Sequence, residues 1–133
     1  MAQGPYDVIV VGAGCAGPAA AKKAAELGLR TLLIEKAPVP GEKNVSGTCL
    51  QGPALVDPDL GYLMAGPVER EIRSMRTYHI TAERTSVFHE IPSAGILLLS
   101  IRRDHFDRWH AEQAQKAGSE VRLVQPLDAH CGP

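Results

Sequence analysis

The feature that most constrains this chain is Gly12-Ala13-Gly14-Cys15-Ala16-Gly17, a G-x-G-x-x-G run, because of what surrounds it. The stretch Tyr6 to Val11 precedes it, bounded by Pro5 and Gly12, and reads as a buried strand. Gly14 to Leu27 reads as a helix crowded with small residues: Ala16, Ala19, Ala20, Ala21, Ala24 and Ala25. Pro18 falls in its first turn, where a missing N–H has no intrahelical partner to lose. Gly28 is a natural stop. Thr31 to Ile34 reads as a second buried strand, ending at Glu35. A strand, helix and strand within about 30 residues make a βαβ crossover, and the right-handedness of such crossovers makes the strands parallel.

In that setting the glycines have distinct physical uses. Gly12 permits a tight strand-to-helix turn, Gly14 lets a pyrophosphate come up to bare backbone, and Gly17 lets the helix lie close on the strands. The backbone N–H groups of the turn and the positive end of the helix dipole then favour the diphosphate. Glu35 lies 18 residues beyond Gly17, where a carboxylate can accept hydrogen bonds from a ribose diol. It would repel a 2′-phosphate, which argues against an NADP-type ligand. The run implies dinucleotide binding but does not choose between FAD and NAD.

Beyond Glu35 the chain is punctuated by Pro38, Pro40, Gly41, Gly47, Gly52, Pro53, Pro58, Gly61, Gly66 and Pro67, so it reads as loop-rich, with a short helix within Pro53 to Met64. Met75 to Thr81 and Thr85 to Ile91 flank Ala82-Glu83-Arg84 as a hairpin that carries His79 and His89. Ala94 to Ile101 is a further strand. Asp104 is the expected N-cap of a helix running to Ala117 and stopping at Gly118, with Asp107 as an acidic first-turn residue. Phe106, Trp109, Gln113, Ala114 and Ala117 form its expected apolar face, with Trp109 in the core. Val121 to Val124 is the last strand. Glu69, Arg70, Glu71, Arg73 and Arg76 read as a solvated surface.

Composition excludes several functions. The 133 residues hold 14 basic and 15 acidic side chains for a formal net charge of −1, which removes the electrostatic case for nucleic acid or an anionic membrane surface. No apolar run approaches the roughly 18 residues of a membrane span, and the N-terminus lacks the basic and apolar regions of a signal peptide. Cys15, Cys49 and Cys131 are too few and scattered for a disulfide framework, so a reducing cytoplasm is expected. His105 and His110, and His130 beside Cys131, match no zinc spacing, and no metal site is expected. Cys15 reads as a small packing residue, although a helix N-terminus could lower its thiol pKa.

After Glu35-Lys36 the chain continues through Pro40-Gly41-Glu42-Lys43-Asn44-Val45-Ser46-Gly47. Later it carries Arg103-Asp104-His105-Phe106-Asp107-Arg108-Trp109 and Ala114-Gln115-Lys116-Ala117-Gly118-Ser119-Glu120-Val121. With the glycine run, these segments resemble, in order, the N-terminal part of the FixC-like flavoproteins. That family includes the electron-transfer-flavoprotein:quinone oxidoreductases, with geranylgeranyl reductases as more distant relatives. The resemblance extends from about residue 6 to about residue 128.

It implies an α/β fold: a Rossmann-like parallel FAD/NAD(P)-binding sheet of the glutathione-reductase and p-hydroxybenzoate-hydroxylase type, truncated, with part of an interleaved β-rich substrate domain. The implied layout is a nucleotide-binding βαβ unit at 6–36, a cofactor loop and partial substrate-domain insertion at 37–100, and a return helix and third strand at 101–128. FAD is the implied cofactor. Gly12, Ala13, Gly14, Cys15, Ala16 and Gly17 would face its pyrophosphate, and Glu35 and Lys36 its adenosine. Lys43, Asn44, Val45, Ser46 and Gly47 match the loop that approaches the flavin side. Arg103, with Arg102 as the competing choice, would contact the ribityl-phosphate region, and a site near Leu127 would offer backbone to the adenine.

The family's later glycine–aspartate motif, most of its substrate domain and the cysteines of an iron–sulfur cluster do not occur in this sequence. The implied function is a FAD-binding oxidoreductase module that passes electrons or hydride through flavin, completed by a second chain, an oligomer or a missing C-terminal half. Its implied partner is a flavoprotein, ferredoxin or quinone. No catalytic acid or base is identifiable. Two other readings stay open: a non-catalytic nucleotide-binding remnant or partner subunit, and an NAD-dependent Rossmann enzyme. The first strand's outer edge should be exposed or paired with something.

Overall fold

A computed structural model describes residues 4–44, 46–51, 56–92, 96 and 98–123. The chain divides into two compact units, one of residues 1–46 with 102–133 and the other of residues 47–101.

The first unit holds strands β1 (Val8–Val11), β2 (Thr31–Glu35) and β8 (Glu120–Leu123), in the order β1-β2-β8 and all parallel. Helices α1 (Ala16–Glu26) and α2 (Arg103–Lys116) pack on one another. Their shared core with the sheet is Ala13, Ala21, Leu33, Ala111 and Ala114, with Val10 and Val121 against it. Alanines allow this close approach, because a methyl group holds two helices apart far less than a long side chain does. The buried Ser119 hydroxyl donates to the Ala21 carbonyl at 2.9 Å, fastening the end of α2 to α1.

Both helices end in the same way. Gly28 (φ +81°) and Gly118 (φ +109°) sit in the left-handed region. The N–H of Gly28 bonds Ala25 and that of Leu29 bonds Ala24, while Gly118 bonds Gln115 and Ser119 bonds Ala114, at 2.9–3.1 Å. These are Schellman closures, which return the last helical carbonyls to hydrogen bonding and turn each helix back into a strand.

Three expectations for this unit need correction. Strand β1 is not buried on both sides: Val10 faces the helical core, while Ile9 and Val11 are 57 % and 80 % exposed. The cause is its place at the edge of the sheet, with a face that no described residue covers. Helix α2 starts at Arg103, so its N-cap is Arg102 and not Asp104, which lies in the first turn. The buried face of α2 is Phe106, Asp107, His110, Ala111 and Ala114. Trp109 is only half-buried and stacks on His110, because contact with α1 sets the helical phase through Ala111 and Ala114.

The second unit contains a sheet of order β3-β7-β4, built from β3 (Gly47–Gln51), β7 (Leu98–Arg102) and β4 (Val68–Ile72). Strands β4 and β7 are antiparallel, with an irregularity between Val68 and Arg70. Leu63, Leu99 and Ile101 are its buried apolar residues. The expected hairpin is present as β5 (Ser74–Ile80) and β6 (Thr85–Pro92), with a bulge between Thr77 and Tyr78. The Thr81 hydroxyl accepts the N–H groups of Glu83 and Arg84, closing the turn. His79 and His89 lie on its strands, and the Arg76–Glu90 pair bridges them at 2.6 Å.

Strand β4 was not legible, because Glu69, Arg70 and Glu71 are exposed and give it no apolar alternation. Strand β3 was missed because Gly47 and the exposed Thr48 and Cys49 mask it. Of the helix expected within Pro53 to Met64, Pro53 to Leu55 lie outside the described residues, Val56 is helical, and a 3₁₀ turn follows at Gly61–Ala65. Val45, Val124, Leu127, His130, Cys131 and part of the Ala94–Ile101 strand lie outside the described residues.

Candidate functional site

The glycine run forms the turn between β1 and α1. Gly12 has φ +98°, and its N–H donates to the Ile34 carbonyl at 2.7 Å, extending the β1–β2 ladder by one residue. A Cβ on Gly17 would lie 1.9 Å from the Gly12 carbonyl oxygen, so only glycine lets α1 fold back onto the strand end. A Cβ on Gly14 would meet a single atom within 4 Å, Nη2 of Arg103 at 3.5 Å. Open space at bare backbone with a cation beside it is the surrounding a pyrophosphate needs. Helix α1 has Cys15 as its N-cap residue, with no side-chain cap bond and no acid in its first turn. Its positive end therefore fits an anion.

Glu35 stands at the end of β2, beside this turn. One carboxylate oxygen accepts the Ala13 N–H at 2.6 Å and the other accepts the Ala37 N–H at 2.8 Å. Burial alone would raise its pKa, but the N–H groups of Ala13, Ala37 and Lys36 outweigh that and lower it. The ionised carboxylate thus braces the glycine turn, with acceptor capacity left for a diol.

The residues behind the turn converge on Asp107, which is fully buried. Arg103 donates to it at two points, Nε to Oδ1 at 2.9 Å and Nη2 to Oδ2 at 2.8 Å. Asn44 Nδ2 donates at 3.0 Å, and the Cys15 thiol lies 3.6 Å from Oδ1. Burial pushes the Cys15 thiol pKa up, and the Asp107 carboxylate adds to that, so the helix end does not activate this cysteine. Arg103 is shifted further up, chiefly by its hydrogen bonds to Asp107.

Gly41, at φ +84°, lets the loop before Asn44 lie against the first turn of α2, where a Cβ would come within 2.7 Å of the Arg103 carbonyl. Asp107 and Gly41 were missed as site residues. The Arg103–Asp107 spacing of four within a helix was the available signal.

The other expected residues are less gathered. Arg102 is exposed and pairs with Asp104 at 2.5 Å, so of the two arginines it is Arg103 that stands by Gly14. Lys36 and Lys43 are exposed. The Ser46 carbonyl accepts the Arg103 N–H at 3.4 Å, and Gly47 opens β3 in the second unit. Among the described residues no group of His, Cys, Asp or Glu is assembled to hold a metal ion, and no helix is long and apolar enough to cross a membrane.

A parallel βαβ sheet with an uncapped helix end at a glycine turn and an acid closing the second strand defines a Rossmann-type dinucleotide-binding protein. The family model described as FAD dependent oxidoreductase matches residues 7–92, and the chain belongs to that family.

It is 36 % identical over 123 residues to a probable electron transfer flavoprotein-quinone oxidoreductase, YgcN, of Escherichia coli, covering 92 % of this chain and 29 % of that protein. It is 36 % identical over 124 residues to protein FixC of Azotobacter vinelandii, covering 85 % and 27 %. Among solved structures it resembles a geranylgeranyl bacteriochlorophyll reductase-like protein of Thermoplasma acidophilum, with a TM-score of 0.72 and 33 % identity, covering 89 % of this chain and 30 % of that one. The chain thus spans less than a third of the length of these relatives.

Proposed function

We propose that this chain supplies the adenosine and pyrophosphate half of the FAD site in an oxidoreductase that passes electrons through flavin. The observation that carries this reading is the uncapped N-terminus of α1 beside Gly14, with Arg103 Nη2 as its nearest neighbour. In this reading the backbone of Gly12 to Gly17 and the Arg103 guanidinium hold the diphosphate, and Glu35 accepts the adenosine ribose hydroxyls. Lys36 flanks the adenosine, and Lys43, Asn44 and Ser46 lie toward the flavin. When bound, FAD supplies the redox chemistry, and the protein supplies binding, orientation and electrostatics.

The 47–101 unit is read as part of a substrate domain. The partner class suggested by the electron transfer flavoprotein-quinone oxidoreductase relatives is a flavoprotein, ferredoxin or quinone. Turnover is assigned to the assembled protein, with the remaining flavin contacts supplied by further chain or a second subunit, in the cytoplasm.

The test is a visible absorption spectrum of the purified chain, followed by titration with FAD. A flavin spectrum that co-elutes with the protein is expected. A colourless protein that takes up neither FAD nor ADP would overturn the reading.

A further inference from the structure

A carboxylate removed from water needs full hydrogen-bonding compensation, or it destabilises the fold. Asp107 has that compensation from three separate segments: α2 through Arg103, the loop after β2 through Asn44, and the glycine turn through Cys15. The two members of the ion pair differ in exposure. The Asp107 side chain is 0 % exposed, whereas that of Arg103 is 21 % exposed and presents Nη2 at the bare face of Gly14. An arginine side chain otherwise samples many rotamers, and two-point pairing to a fixed carboxylate removes most of that freedom. The sealed acid is in turn anchored by Asn44 and Cys15.

We propose that Asp107 is a positioning residue for dinucleotide binding, holding the Arg103 guanidinium at Gly14 to meet a diphosphate. This rests on the reading of the glycine turn as a FAD site, and it adds a residue that never touches the ligand. Its consequence runs against simple charge counting. Removing a carboxylate beside an anion site should tighten anion binding by Coulomb's law. Removing a positioning residue should weaken it. A purely structural residue would change the melting temperature and leave the affinity of the folded chain unchanged.

The experiment measures FAD, ADP and adenosine affinity by titration calorimetry on the wild-type chain, Asp107→Asn, Arg103→Ala and the double variant. Asp107→Asn is expected to weaken FAD and ADP about tenfold and to leave adenosine unchanged. The double variant is expected to bind no more weakly than Arg103→Ala, because Asp107 acts through Arg103. ADP binding by Asp107→Asn that equals or exceeds wild type would refute positioning, as would equal losses for ADP and adenosine.

Should Asp107→Asn not fold, the Arg103 Nε–H resonance of the ¹⁵N-labelled wild-type chain decides. A slowly exchanging signal that shifts on adding ADP supports the proposal, and one averaged with solvent or indifferent to ADP overturns it. A wild-type chain that binds neither FAD nor ADP refutes the FAD-site reading itself. Wild-type binding with an indifferent Asp107→Asn refutes only the positioning.

Discussion

Gly14 and Gly17 lie three residues apart in one turn, and the structure gives them separable duties. In Gly17→Ala the new methyl would sit 1.9 Å from the Gly12 carbonyl oxygen, about 1.1 Å inside the 3.0 Å that real Cβ contacts respect. The obstacle is backbone, held by the 2.7 Å bond from Gly12 N–H to Ile34, so it cannot rotate away. Overpacking of this kind costs roughly 3 kcal/mol, and the gain in helix propensity from glycine to alanine returns about 1. The net loss is about 2 kcal/mol, or roughly 8 °C in melting temperature for a chain of this size.

In Gly14→Ala the methyl would meet only Arg103 Nη2 at 3.5 Å, ordinary contact, so stability should change by less than about 0.5 kcal/mol. The same methyl occupies the place a diphosphate needs, and FAD affinity should fall by at least about tenfold. Thermal melts by circular dichroism, with FAD and ADP titrations of both variants, test the pair. The reasoning fails if Gly17→Ala melts with the wild type, or if Gly14→Ala keeps wild-type affinity.

Two further predictions concern pH. The Glu35 pKa is lowered in the folded chain, so the stability its ionised form contributes is full above the ordinary carboxylate value and drains as pH falls through the lowered one. Glu35→Gln should be about 1 kcal/mol less stable than wild type at neutral pH, and denaturant titrations should show that gap closing on acidification. A gap that is constant with pH would count against the bracing role. Burial holds His110 at about 4, against an ordinary 6.5, so the unfolded chain takes up its proton first as pH falls. The wild type should lose on the order of 3 kcal/mol across that window relative to His110→Leu. Parallel pH profiles for the two chains would refute this.

The crossover was readable because its signals are local. Glycines at fixed offsets, a small-residue helix with Pro18 in its first turn and an acid at the end of β2 each constrain a few neighbouring residues, and they agree. The hairpin was readable for the same reason, through two extended runs around a short polar turn. Strands β3 and β4 were not, since charged and small residues there follow pairing to β7, a partner distant in sequence. The phase of α2 was misread because Asp107 and His110 are polar yet buried, which hydropathy counts against the core.

The sequence alone was enough to determine the dinucleotide-binding class and to single out Gly12, Gly14, Gly17 and Glu35 as its candidate site. The physical reason is that a phosphate-binding turn needs close backbone approach, and only glycine at set spacing permits it. Tertiary structure decided which arginine stands beside Gly14 and what holds it there. Arg102 and Arg103 are adjacent and chemically identical, and only the packing of α2 sends one outward to Asp104 and the other onto buried Asp107 beside Gly14. It also decided the state of Cys15. A helix N-terminus favours a thiolate, but burial against a carboxylate opposes it, and that balance exists only once three separate segments have met.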